Sequence, residues 1–278
     1  MAGTLYLVAT PIGNLEDISA RALRVLSEVD LIACEDTRHT KKLLMHYGLT
    51  TRCISYHEHN EQARARELCA KLKEGSSIAL VSDAGSPGIS DPGYDLVQQA
   101  IAAEITVSAI PGATALVAAL TSSGLPTDRF LFFGFLSARG GERRAQLESL
   151  RNTDATLIFH EAPHRLQASL LDMLEVLGNR RCAVARELTK LHEEITRGPL
   201  SDVNEQFADR VVKGEIVIVV DRQLFDSDKT IVHDLAALVA ELEQQGIDTK
   251  AALKIVARQT GLPKSEVYRR VQAKRDIH

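Results

Sequence analysis

The chain has 278 residues, 45% of them hydrophobic and 25% charged, with a net charge of −4. These are the proportions of a globular protein with room for two domains and a small third. No apolar run reaches the roughly 18–20 residues of a membrane span, and the opening MAGTLYLVATPIGN lacks the basic region and cleavage pattern of a signal peptide. The four cysteines, Cys34, Cys53, Cys69 and Cys182, form no C-x-x-C pair, which argues against a zinc site or a disulfide framework and for a reducing, cytoplasmic setting. Charge is uneven: residues 248–278 hold eight basic and three acidic side chains, net +5, against −9 for the rest. A basic tail on an acidic body suits either a polyanionic partner or a solvated helical surface.

The elements alternate from the start. Leu5–Ala9 reads as a strand closed by the turn Thr10-Pro11-Ile12-Gly13-Asn14. Ile18, Ala22, Val25, Leu26 and Val29 share one helical face, and Leu31–Cys34 forms the next strand. Helices are expected at about 37–46 and 60–74, a strand at 77–82, a helix at 92–103, a strand at 105–110 and an Ala-rich helix at 113–123 opened by Pro111-Gly112. This βαβ rhythm predicts a mostly parallel sheet covered on both faces. Gly124–Asp128 is the candidate boundary, so the first domain is expected over 1–124. A second α/β domain over 125–226 takes strands at 130–135, 155–160, 181–187 and 215–220, with helices at about 141–151, 163–177 and 201–212. Beyond a second boundary near Asp226-Ser227-Asp228, residues 227–278 have a purely helical pattern. Their Thr260–Pro263 turn between two helices resembles a helix-turn-helix.

The stretch LVSDAGSPGISDPG at 80–93 carries the most chemistry. A buried strand ends in a loop of Gly85, Pro87, Gly88, Pro92 and Gly93 that lets backbone approach a ligand, and open α/β sheets bind ligands at such strand ends. The loop holds Asp83 and Asp91 but no Lys or Arg, so it suits a ligand with positive or hydrogen-bond-donating groups. No G-x-G-x-x-G follows the first strand, and neither a P-loop nor a G-x-S-x-G elbow occurs. His57-Glu58-His59 reads as a polar rim rather than a metal site, because no third ligand is apparent; no metal is expected.

The stretches TPIGNLEDI (10–18), LIACEDTRHT (31–40), IALVSDAGSPGISDPG (78–93), PGATA (111–115), FFGFL (132–136), HEAPHR (160–165), ARELTKLHEE (185–194) and KGEIVIVV (213–220) occur in order across nearly the whole chain. Together they resemble the bacterial ribosomal RNA small-subunit methyltransferase I family of the tetrapyrrole methylase superfamily. The pattern departs from the family's at Gly88, Ser137, His160 and Ala162. The resemblance implies a two-domain α/β fold, with S-adenosylmethionine in the cleft between domains and a small helical module at the end. It also implies a homodimer and methyl transfer to the ribose 2′-hydroxyl of a cytidine in 16S ribosomal RNA, in the small subunit. Its cofactor residues would be Ser82, Asp83, Ala84 and Gly85, then Pro111, Gly112, Ala113 and Thr114. The second domain would add Phe135, Glu161, Ala162, Lys213, Gly214 and Glu215. The structural alternative is a turn former at Asp83 and a helix-start glycine at Gly112, which the resemblance makes the lesser reading.

Methyl transfer to a ribose hydroxyl calls for alignment and for help with a weakly acidic proton. Glu35 and Glu187 are candidate bases. Lys190 is a candidate cation, or a proton acceptor should burial depress its pKa. Ion pairs of Glu35 with Arg38 and of Glu187 with Lys190 are the structural alternatives. Candidate RNA contacts are Arg38, Lys41 and Lys42, then Arg139, Arg143 and Arg144, and in the tail Arg269, Arg270 and Lys274. The rival readings are a tetrapyrrole or other small-molecule methylase on this fold, and a DNA-binding regulator built around the helix-turn-helix.

Overall fold

The computed structural model describes residues 2–222, 235–244, 247–260, 267–269 and 271–272. The chain divides into two compact units, Met1–Gln223 and Leu224–His278. In the first unit, strands β1 (Thr4–Val8), β2 (Leu31–Cys34), β3 (Cys53–Ser55), β4 (Ile78–Val81) and β5 (Thr106–Ile110) form one sheet in the order β3-β2-β4-β1-β5. Every pairing in it is parallel. Helices α1 (Ala20–Glu28) and α2 (Thr37–His46) belong to one face, and α3 (Glu61–Lys73) and α4 (Tyr94–Ala102) to the other. Burial on both faces explains why β2 and β4 are unbroken apolar runs with every residue buried.

The second sheet runs β6-β7-β10-β8-β9, with β6 (Phe130–Phe135), β7 (Thr156–Glu161), β8 (Arg181–Arg186), β9 (Glu194–Pro199) and β10 (Ile216–Val220). It is mixed: β6 and β7 are parallel, while β10 lies antiparallel to both β7 and β8. Helices α6 (Gly140–Leu150), α7 (Leu166–Leu177) and α8 (Leu200–Phe207) bury one face around Phe159, Met173 and Phe207. The helix α5 (Ala115–Ser123) covers the other through Leu116, Ala119 and Leu120 against Ile158, Ala185 and Val217. So the helix just ahead of the expected boundary at Gly124 buries its apolar side on the second sheet.

Two strands escape the sequence pattern. β3 is three residues long and only half-buried, and β9 is a polar edge strand pairing β8 from Arg181–Pro199 to Arg186–Glu194. His57-Glu58-His59 lies in a turn before α3, not on a strand, with the His57 amide donating to Asn60 Oδ1 at 3.0 Å. Among the described residues, no group of three or more His, Cys, Asp or Glu is placed to hold a metal, and no helix is long and apolar enough to cross a membrane.

In the second unit, helices α9 (Leu235–Gln244) and α10 (Thr249–Thr260) pack through Val239, Ala252, Leu253 and Val256 with Val267 and Val271. The boundary near 226 and the turn over 261–263 lie outside the described residues.

Candidate active site

The loops after β1 and β4, neighbouring central strands, are stitched together. Thr10 and Gly85 exchange backbone hydrogen bonds at 2.9 and 3.1 Å, and Thr10 Oγ1 donates to the Ser82 carbonyl. Ser82 Oγ in turn donates to the carbonyls of Ala84 and Gly85, both at 3.3 Å. Ser82 is therefore buried as a brace for the loop. Gly85 adopts φ +81°, a region an L side chain resists.

This double loop forms one wall of a cavity of about 370 Å³. Ile12, Ala84–Ser86 and Ile89–Asp91 contribute from the first half, and Thr114–Leu116 from the start of α5. Phe135, His160–Pro163, Ala185, Leu188 and Gly214–Val217 contribute from the second sheet and its loops. Of the residues implied for the cofactor, the structure brings Ala84, Gly85, Thr114, Phe135, Glu161, Ala162, Gly214 and Glu215 to this one cavity. Ser82, Asp83, Pro111, Gly112, Ala113 and Lys213 do not line it. Asp83 instead accepts the Asp36 amide at 3.1 Å, and a Cβ at Gly112 would stand 3.0 Å from Ala9 Cβ, so both serve the joins between elements.

The cavity wall is apolar with a few polar groups, the usual make-up of a small-ligand site. Glu161 is buried and fully engaged: it accepts from the Ala162 amide at 2.7 Å, from Arg165 at 2.9 Å and from the Ser169 hydroxyl. Ser86 and Thr114 share a hydroxyl hydrogen bond at 3.0 Å. Burial, then repulsion by Glu35, pushes the Asp91 carboxyl up to about 6. Burial, with repulsion by Asp83 next, also raises Glu35, which does not line the cavity. Glu35 makes no ion pair with Arg38, which turns to Asp36 at 2.9 Å.

A second cluster abuts the same wall. The loop after β8 turns sharply, with Glu187 at φ +52° and Thr189 at φ +66°. Lys190 Nζ donates to Glu187 Oε1 at 2.9 Å and lies 3.3 Å from Glu215 Oε1. Burial opposes the Lys190 ammonium, but the two carboxylates outweigh it and hold its pKa above the ordinary lysine value. This corrects the idea of Lys190 as a proton acceptor, which required burial to depress its pKa. Glu187 is corrected as well. Chiefly its bond from Lys190, then the Glu215 amide at 3.0 Å, holds its carboxyl below the usual range, so it anchors the cation and is a poor base. The β1 loop closes over this cluster: the Asn14 amide donates to Thr189 Oγ1 at 3.1 Å, and a Cβ at Gly13 would overlap Lys190 Cγ. Gly13, Ile12, Thr189 and the Glu215 carboxylate as partner of Lys190 were not foreseen as site elements. The TPIGN turn carries Ile12 and Gly13, and the stretches ARELTKLHEE and KGEIVIVV carry Thr189 and Glu215, but none of them tells that these residues meet.

Among the expected RNA contacts, Lys41 and Lys42 are exposed on α2, Arg38 is exposed beside Asp36, and Arg139 is exposed beside Glu142. Arg143 is a correction. Its side chain is 8% exposed and bonds Asp172 at 2.6 Å and the Ser137 carbonyl at 3.3 Å, so it clamps the loop after β6. Arg144 also reaches Asp172, at 3.1 Å, and stays half-exposed. Arg269 is exposed; Arg270 and Lys274 lie outside the described residues.

Two α/β halves, each on its own five-stranded sheet, with a cavity lined from both define the class. Residues 4–204 match the family of Tetrapyrrole (Corrin/Porphyrin) Methylases, and the chain belongs to it. Solved structures agree on the fold: the methyltransferase CobJ superposes with a TM-score of 0.60 at 20% identity, covering 80% of this chain and 95% of that one. A uroporphyrin-III C-methyl transferase from Thermus thermophilus complexed with S-adenyl homocysteine gives 0.55 at 20% identity, covering 78% of this chain and 97% of that one.

Within that class the chain belongs to the ribosomal RNA small subunit methyltransferase I family, and it is a methyltransferase. It is 50% identical over 273 residues to the protein of that name from Synechocystis sp., covering 96% of each chain. To the one from Halalkalibacterium halodurans it is 49% identical over 270 residues, covering 96% of this chain and 93% of the relative. To that from Pseudomonas aeruginosa it is 46% identical over 270 residues, covering 96% of each.

Proposed function

We propose that this protein transfers a methyl group from S-adenosylmethionine to the ribose 2′-hydroxyl of a cytidine in small-subunit ribosomal RNA. One observation carries the reading: Lys190, paired with Glu187 and Glu215, which raise its pKa, stands against the wall of a cavity built from both halves. The names of the relatives supply the RNA. The walls fit the donor: about 370 Å³ is within the range of cofactor sites, the lining is largely apolar, and the Asp91 carboxyl suits a cation. When bound, S-adenosylmethionine supplies an electrophilic methyl carbon on a sulfonium.

The chain's own residues supply the rest. Backbone at Ala84–Ser86, Ala162 and Gly214, with the Ser86 and Thr114 hydroxyls, orients the donor. Ile12, Leu116, Leu188 and Val217 keep water out. Attack by the ribose oxygen must be in line and close, a positioning effect that can provide a large part of the acceleration. Lys190 stabilises the alkoxide character that develops as the hydroxyl loses its proton. Glu35, raised by burial, is the candidate to receive that proton, and Asp91, whose carboxyl it repels, lines the cavity. Lys41, Lys42, Arg38 and Arg139 offer phosphate contacts, with the basic tail as a docking module. Homodimerisation and a cytoplasmic setting belong to the same reading; light scattering of the purified chain checks the first.

The test is transfer of labelled methyl to small subunits lacking the modification, followed by digestion and identification of the nucleoside. Label on a cytidine ribose is expected. Label on a base overturns the 2′-hydroxyl assignment, and label on a porphyrin precursor in place of RNA favours the small-molecule rival.

A further inference from the structure

β6 carries a defect beside the cavity. Its register against β7 shifts between Phe132 and Gly134, so Phe133 is an extra residue, and Gly134 takes φ +81°. A bulge of this kind re-aims the side chains that follow it. Here the residue that follows is Phe135. It pairs His160 across the strands, with ring centroids 5.4 Å apart at 72°. Phe132, before the shift, and Phe133, at it, pack into the two cores on either side of the sheet. Phe135 lines the cavity yet is 52% exposed, and Ile89, from the opposite half, lines it and is 43% exposed. The loop bearing Ile89 reaches the bulge itself: a Cβ on Gly134 would be 3.8 Å from Ser90 Oγ. That hydroxyl has no hydrogen-bond partner among the described residues. Two large apolar side chains, one from each half, are therefore held at the mouth of a cavity already sized for a small donor.

We infer that Phe135 and Ile89 form a subsite at the cavity mouth for the unstacked nucleobase of the acceptor nucleotide, with Phe135 as the stacking platform. The inference rests on the RNA reading above and assigns Phe135 to the acceptor, not to the donor. The geometry of transfer requires it. A 2′-hydroxyl brought within about 3 Å of a methyl group in the cavity leaves its own base a sugar's width away, at the rim. A base inside a helix cannot reach such a position and must be splayed out. An exposed aromatic ring is the surface on which single-stranded bases are held. Burial lowers the pKa of His160, whose ring packs edge-on against Phe135.

The experiment uses the full chain and two variants, Phe135→Leu and Phe135→Tyr. The side chain is half-exposed, so both variants should fold; circular dichroism melts within 2–3 °C of the parent check this. Three quantities are read: transfer to unmodified small subunits, donor affinity by calorimetry with S-adenosylhomocysteine, and emission of a pyrrolo-cytidine in a single-stranded oligocytidylate. Phe135→Leu should raise the KM for subunits at least fivefold, the lower end of what stacking one base provides, and abolish quenching of the pyrrolo-cytidine. Donor affinity should change less than twofold, and Phe135→Tyr should restore both RNA signals. An equal or larger loss of donor affinity in Phe135→Leu would make the ring a cofactor contact and overturn the inference. Unchanged KM and quenching would overturn it as well. Methyl transfer by the parent chain is measured first. Absence of label on any RNA ribose defeats the acceptor assignment along with this subsite, whereas ribose label with an indifferent Phe135 defeats the subsite alone.

Discussion

Gly214 stands where any larger residue would run into Glu187. Its backbone has φ +92°, and a Cβ on it would overlap the Glu187 carboxylate that holds Lys190. The glycine thus gives the β10 entry loop room to donate the Glu215 amide to the same oxygen at 3.0 Å. Gly214→Ala should cost about 2 kcal/mol or more from strained backbone alone. It should also displace Glu187 and cut kcat by at least tenfold. Gly48→Ala is the control. It has φ +68° with open space around the missing Cβ, so it should cost only about 1–2 kcal/mol and leave activity intact. Paired urea melts and turnover measurements compare the two.

Lys190 is the next test. Lys190→Met removes the cation and leaves Glu187 and Glu215 facing each other. A drop in kcat of about 10²–10³ is expected from losing one preorganised electrostatic partner, with donor affinity changed by under threefold. Lys190→Arg keeps the charge and should retain more activity than Lys190→Met. Because the two carboxylates hold the ammonium above the ordinary lysine value, activity should not fall between pH 8 and pH 10 through loss of this proton. Single-turnover rates across that interval check it.

Asp91 gives a pH signature with a definite sign. Its carboxyl titrates near 6 in the folded chain, against an ordinary value near 3.8. The folded state therefore binds the proton more tightly, and stability falls as pH rises from about 4 to about 6, where the charged form is disfavoured. Asp91→Asn should flatten that part of the stability profile and stabilise the donor-free protein at pH 7.5, by about 1 kcal/mol after screening by water. Denaturant melts at pH 4.5 and 7.5 measure it. An equal shift at both pH values would show that the carboxylate is not strained by its surroundings.

Much of this site was legible because it sits on backbone. Strands that end in Pro and Gly announce themselves: TPIGN after β1 and SDAGSPG after β4 fixed one wall, and the whole-length resemblance supplied Glu161, Ala162, Gly214 and Glu215. Side-chain pairs between distant segments leave no such mark. Nothing in the period of the sequence says that Lys190 reaches Glu215, or that Gly13 is bare to admit Lys190. β3 and β9 were missed because short or polar edge strands lack a continuous apolar run. Arg143 was misread for a similar reason: a basic cluster looks alike whether it faces solvent or a buried aspartate such as Asp172.

That misreading yields the sharpest separation of roles. Lys41 and Lys42 are exposed on α2, whereas Arg143 and Asp172 have side chains only 8% and 9% exposed. Reversing both lysines, Lys41→Glu with Lys42→Glu, should leave the melt unchanged and weaken subunit binding. It should also lower the slope of log affinity against log salt by about 2, one per lost phosphate contact. Arg143→Met should do the reverse. It leaves Asp172 buried with only Arg144, which costs about 3–5 kcal/mol of stability, while the salt slope of whatever folds stays that of the parent. Filter binding at 50–200 mM salt beside a thermal melt separates the two. A reduced slope in Arg143→Met would return that guanidinium to the RNA surface.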